Sequence, residues 1–137
     1  MREIIFRGKS KDDGEWICGG AVHQTDHYGD EVDRWYIIDG TETNDYDIGE
    51  PIRVMPETIG QYTGLTDKNG EKIFEGDIVQ YSGEKHIVVF ETRGKTGYFG
   101  IKIDHLETWG FCLSVPAKLM EVIGNIHDNP ELAEGLL

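Results

Sequence analysis

Basic residues are scarce in this chain. Thirteen Lys and Arg stand against 26 Asp and Glu, a formal charge of −13 over 137 residues. Polyanions recruit proteins through Lys and Arg, so direct nucleic-acid binding and docking on an anionic membrane surface are both disfavoured. Cysteine is nearly absent: Cys18 and Cys112 cannot make a disulfide framework. No apolar run approaches the roughly 18 residues of a membrane span. Met1-Arg2-Glu3-Ile4-Ile5-Phe6 is too short an apolar start for a signal peptide. Alanine and leucine, strong helix formers, total only 10. These shortages predict a soluble intracellular protein with little helix.

What is abundant points the same way. Valine and isoleucine total 23, and glycine reaches 18. β-Branched side chains fit a pleated surface, and tight turns draw on glycine for positive φ. The fold class is mainly β, divided into a β-rich region over 1–60 with an acidic loop at 26–50, and a barrel region over 61–137. The two could also fold as a single structural unit.

In the first region the pattern predicts strands at Arg2–Arg7, Glu15–Val22, Arg34–Asp39 and Ile52–Met55. In the second, Asn69-Gly70 is the signature of a two-residue hairpin turn between Tyr62–Thr66 and Glu71–Phe74. Strands at Asp77–Tyr81 and His86–Glu91 flank the turn Ser82-Gly83-Glu84-Lys85. Others follow at Tyr98–Ile103, Trp109–Val115 and Leu119–Ile126. Several short strands in about 65 residues suggest a small closed barrel, which removes exposed edges. Asn129-Pro130-Glu131 signals a short terminal helix, with Asn129 as cap and Leu132 and Leu136 packing on the body.

The segment QYTGLTDKNGEKIFEGDIVQ, residues 61–80, with the opening MREIIFRGK and the closing EVIGNIHDNPEL, resembles the phage and prophage YopX family. The resemblance implies a mainly β fold built around an SH3-type barrel, encoded by bacteriophages or prophages and acting in the bacterial host cytoplasm. The family's biochemical activity is unknown, so no catalytic or ligand-binding residue is implied.

Cys18, His23 and His27 are spaced C-x4-H-x3-H, but a structural zinc site usually pairs its cysteines closely. The bland expectation is a buried cysteine on a strand and two histidines in a polar loop. Asp67-Lys68-Asn69-Gly70 fails as a calcium loop, because Leu65 and Gly76 would fall at ligand positions. Serines 10, 82 and 114 lie in no nucleophile elbow, and Cys112 in an apolar strand is expected to be buried and inert. No cofactor, metal site or catalytic residue is expected. Tyr62, Gly64, Asn69, Gly70, Glu75, Gly76 and Asp77 read as structural, with Gly76 and Asp77 shaping a corner. Of Trp16, Trp35, Tyr62, Tyr98 and Trp109, most belong in the core, and any at the surface would mark an interface.

The charge is concentrated. From Asp26 to Glu50, nine carboxylates face one arginine. Asp26, Asp30, Glu31, Asp33, Glu42, Asp45, Asp47 and Glu50 are the candidate partner-binding residues. The leading expectation is a non-enzymatic module whose acidic surface binds another protein, a basic one. The alternative is a small-barrel nucleic-acid adaptor, which needs an exposed aromatic and lysine face despite the net charge. A hydrolase or metal enzyme comes third. Self-association is not legible.

Overall fold

The computed structural model describes residues 3–39, 49–103, 107–112 and 115–136. The chain forms two compact units, Met1–Gln61 and Tyr62–Leu137. Strands dominate both, so the mainly β expectation holds.

In the first unit, β1 (Phe6–Lys9), β2 (Trp16–His27), β3 (Asp30–Ile38) and β4 (Pro51–Val54) pair antiparallel in the order β4-β3-β2-β1. The first two residues of β5 (Gly60–Thr66) continue the ladder, with Gly60 opposite Arg7 and Gln61 opposite Phe6. The sheet curls. Beyond β1, Ser10 bridges to Val54, Lys11 N–H donates to Arg53 O at 3.0 Å, and Met55 N–H donates to Lys9 O at 2.9 Å. Ile37 and Val54 are fully buried on the inner face. Gly8 is needed there, because a Cβ would press on the Val54 side chain at 3.1 Å. Thr58 locks the following 3₁₀ turn, Pro56–Thr58: its hydroxyl donates to Met55 O at 2.6 Å and accepts from Lys9 N–H at 2.9 Å.

In the second unit, β5 pairs with β6 (Lys72–Phe74), and an irregularity at Gly64 (φ 87°) separates Tyr62↔Phe74 from Thr66↔Lys72. A five-stranded antiparallel sheet follows in the order β10-β9-β8-β7-β11. Its strands are β7 (Asp77–Tyr81), β8 (Glu84–Arg93), β9 (Thr96–Lys102), β10 (Thr108–Gly110) and β11 (Glu121–Asn125). Both faces are covered at Ile87-Val88-Val89, which explains an unbroken apolar run there where a one-sided sheet would alternate. Val79, Val88 and Ile101 pack with Ile73, Ala117 and Met120, while Ile78 and Ile87 pack with Ala133 of α1 (Pro130–Ala133). Four residues cannot hold a helix alone, and Leu132 and Leu136 supply the expected packing.

Several expectations are corrected. The barrel is one: no sheet closes among the described residues, and the second unit's sheet is an open ladder. The strand expected at Trp109–Val115 is only Thr108–Gly110, because Cys112 and Val115 exchange backbone hydrogen bonds at 3.2 Å and turn the chain. Cys112 and Cys18 are both exposed instead of buried. His23 and His27 stand on β2, which runs five residues past its expected end, and not in a loop. Asn129 makes no side-chain cap; its Oδ1 accepts from Asn125 N–H at 3.2 Å.

The Asn69-Gly70 turn also differs from its signature. A type I′ turn needs positive φ at both central residues, yet only Gly70 (φ 80°) has it. Type I′ geometry occurs instead at Tyr28-Gly29 (φ 51° and 85°) and Ser82-Gly83 (51° and 79°), between the terminal pairs His27↔Asp30 and Tyr81↔Glu84.

Candidate functional site

The β2–β3 hairpin builds the most distinctive surface. Its register runs from Gly20↔Ile38 to His27↔Asp30, with a bulge where Thr25 faces both Val32 and Asp33. A bulge adds twist and re-aims the side chains beyond it. Tyr28 sits at the apex, 94% exposed, with a left-handed backbone that residues other than glycine rarely adopt. The His27 ring meets it edge-on at 4.5 Å. Around the apex, Asp26, Asp30, Glu31 and Asp33 are all exposed.

Side-chain contacts tie the base of this tip together. His23 stacks on Trp35 with ring centroids 4.0 Å apart and planes within 5°, and its Nε2 lies 2.6 Å from Asp33 Oδ1. Tyr36 Oη donates to Gln24 Oε1 at 3.3 Å, and Gln24 Nε2 donates to Asp26 O at 3.2 Å. The hairpin therefore gathers four exposed carboxylates and one tyrosine at one tip, of which Asp33 is tied to His23.

Of the eight expected partner-binding residues, the structure brings Asp26, Asp30, Glu31 and Asp33 together. Glu50 is elsewhere: it precedes Pro51, which pairs with Ile38 at the other end of β3, roughly 25 Å from the tip by strand rise. Glu42, Asp45 and Asp47 lie outside the described residues. Cys18 and His23, five apart on one strand, point to opposite faces. Among the described residues no group of three or more His, Cys, Asp or Glu could hold a metal ion.

The residues read as structural lie in the second unit, where an unforeseen group organises them. Asp67 is buried, and its Oδ1 accepts from Asn69 N–H at 2.8 Å and Glu71 N–H at 2.9 Å. Its Oδ2 accepts from Val122 N–H at 2.9 Å. Burial pushes the carboxyl's pKa up, but the amides of Val122, Glu71 and Asn69, with the Lys68 ammonium nearby, outweigh that and hold it below the ordinary aspartate value. Aspartate at the first position of a turn was a readable signal; the Val122 partner was not. At the next corner Gly76 has φ 92°, and its N–H donates to Val88 O at 2.8 Å. Buried Asp77 accepts from Phe74 N–H at 2.7 Å, and half-buried Glu75 precedes them.

Among the aromatics, Tyr62 is buried against Phe74, Trp16, Trp35 and Tyr98 are half-buried, and Trp109 is 44% exposed. Phe90, which the sequence reading passed over, is 45% exposed and lies edge-on to Phe99 at 5.0 Å.

A crystal structure of protein EF1440 from Enterococcus faecalis is similar at 24% identity and a TM-score of 0.48, covering 96% of this chain and 99% of that one. No curated protein matches. The family model for YopX protein matches residues 5–134, nearly the whole chain. The chain belongs to the YopX protein family.

Proposed function

We propose that this protein is a non-enzymatic interaction module, phage- or prophage-encoded and acting in the bacterial cytoplasm, whose β2–β3 hairpin docks on a basic protein. One observation carries the reading: Tyr28 stands 94% exposed at the apex among Asp26, Asp30, Glu31 and Asp33. A non-glycine residue in left-handed backbone costs on the order of 1 kcal/mol, and an aromatic in water contributes no burial to offset it. That cost is recovered when the ring enters a partner's pocket, where tyrosine is a favoured anchor. The surrounding carboxylates steer a positively charged partner into register.

The test is affinity capture from prophage-induced bacteria, with the native chain and with a tip variant. The variant combines Tyr28→Ala, Asp26→Asn, Asp30→Asn, Glu31→Gln and Asp33→Asn. A basic protein retained by the native chain, released by salt and absent from the variant supports the reading. Equal capture by both chains overturns it.

A further inference from the structure

The acidic total hides a basic, aromatic face on the first unit. Arg7 and Lys9 are two apart on β1, so their side chains share one face of the sheet. Their β2 partners are Cys18 and Trp16. The Arg7 guanidinium lies 4.7 Å and the Lys9 ammonium 5.5 Å from the Trp16 ring centroid. The curl of the sheet sets Lys11 directly beside Arg53 through the 3.0 Å backbone bond, with Ser10 and Val54 turned inward between them. Arg53 is paired with Tyr36, and Tyr36 with Val22. Val22, Gln24, Tyr36, Ile38 and Pro51 line an open apolar depression of about 410 Å³ on this same outer face. Arg34, two residues from Tyr36 and opposite Gln24, stands on the same face next along β3.

The outer-face positions of these four strands, from Trp16 to Gln24 on β2 and from Arg34 to Ile38 on β3, carry no carboxylate. Acids stand at the border instead: Asp12, Asp13 and Glu15 in the turn after Lys11, Asp39 and Glu50 beside the Ile38–Pro51 pair, Glu57 after β4, and the hairpin tip. A track of cations beside an apolar, tyrosine-lined floor is the chemistry that binds single-stranded nucleic acid, phosphates on the cations and an unstacked base on the ring. A duplex keeps its bases stacked and has no use for the floor. The bordering carboxylates repel a strand that strays from the track.

We infer that the outer face formed by Arg7, Lys9, Lys11, Arg34, Tyr36 and Arg53 binds a short single-stranded nucleic acid. The strand rise and spacing set the track at about 20 Å, a length for about four nucleotides, the low end for small single-strand binders. This surface is distinct from the hairpin tip and does not rest on the protein-docking reading.

The test is fluorescence polarisation of a labelled dodecathymidine with the full chain at low and moderate salt. Binding with a log–log salt slope of about −3 is expected, from roughly four phosphate contacts on a single strand. Lys11→Glu with Arg53→Glu, both exposed, is expected to weaken binding at least about tenfold with the thermal melt unchanged. A duplex of equal length should bind more weakly, and the Asp/Glu-to-amide changes at the hairpin tip should leave binding equal or tighter. No binding at about 20 mM salt overturns the inference, as does indifference to the charge reversals or equal affinity for duplex. So does sedimentation showing that the reversals dissolve a self-assembly, because the occupant would then be a second copy's acidic tip.

Discussion

The carboxylate of Asp67 accepts a 2.9 Å hydrogen bond from the backbone N–H of Val122, 55 residues further along the chain. The same short loop makes two more links to that region: Lys68 N–H donates to Met120 O at 2.9 Å, and Lys68 Nζ lies 3.3 Å from Glu121 Oε2. One aspartate thus shapes a local hairpin loop and fixes where β11 begins.

Asp67→Asn keeps the shape but turns one acceptor oxygen into a donor facing either Val122 N–H or the two loop amides. Buried hydrogen bonds to a charged group contribute about 1.5–3 kcal/mol, so a loss of about 2 kcal/mol is expected in urea unfolding. A change under about 0.5 kcal/mol would refute the role assigned to this residue.

The pH dependence follows in sign. The folded-state pKa of Asp67 lies below the ordinary 3.8, so its ionised form favours the fold. That contribution is complete above the unfolded value and is lost as pH falls through the folded one. Native stability should therefore drop more steeply below about pH 4 than that of Asp67→Asn. Parallel curves in acid unfolding would contradict this.

At the hairpin apex, stability and recognition should separate. Asn-Gly is the preferred type I′ pair, so Tyr28→Asn relieves the φ 51° backbone. Thermal unfolding should shift upward by about 0.5–1 kcal/mol while capture of the basic partner falls. A destabilised variant with capture intact would reverse the argument.

Adjacent glycines on β2 should respond oppositely to alanine. At Gly19 a Cβ would collide with the Ile38 carbonyl, and backbone cannot swing aside; at Gly20 nothing lies within 4 Å. Gly19→Ala is expected to cost about 1–3 kcal/mol and Gly20→Ala to be neutral or mildly stabilising, read from denaturation midpoints. Equal effects would show that the β2–β3 approach is looser than described.

Most strands were legible because Val and Ile alternate or run between glycine-rich turns, and Asp77–Tyr81 matches to the residue. Failures came where distant partners decide. Asn69-Gly70 promised a two-residue turn, yet Asp67, tied to Val122, imposes a wider loop. Tyr28-Gly29 gave no conventional turn signal, so β2 was expected to stop five residues early. The basic face was hidden because its cations come from β1, the segment after it, β3 and β4, and only the curl of the sheet gathers them. Four carboxylates of the acidic region do meet, at the hairpin tip, but Glu50 is removed from them by the length of β3.

The most direct test of the docking proposal places a photo-reactive phenylalanine analogue at Tyr28 and identifies the cross-linked protein by mass spectrometry. The account predicts one basic protein, cross-linked at low salt and lost when Asp26, Asp30, Glu31 and Asp33 are made amides. Cross-links that appear only when the probe stands at Trp109, with none from position 28, would contradict it.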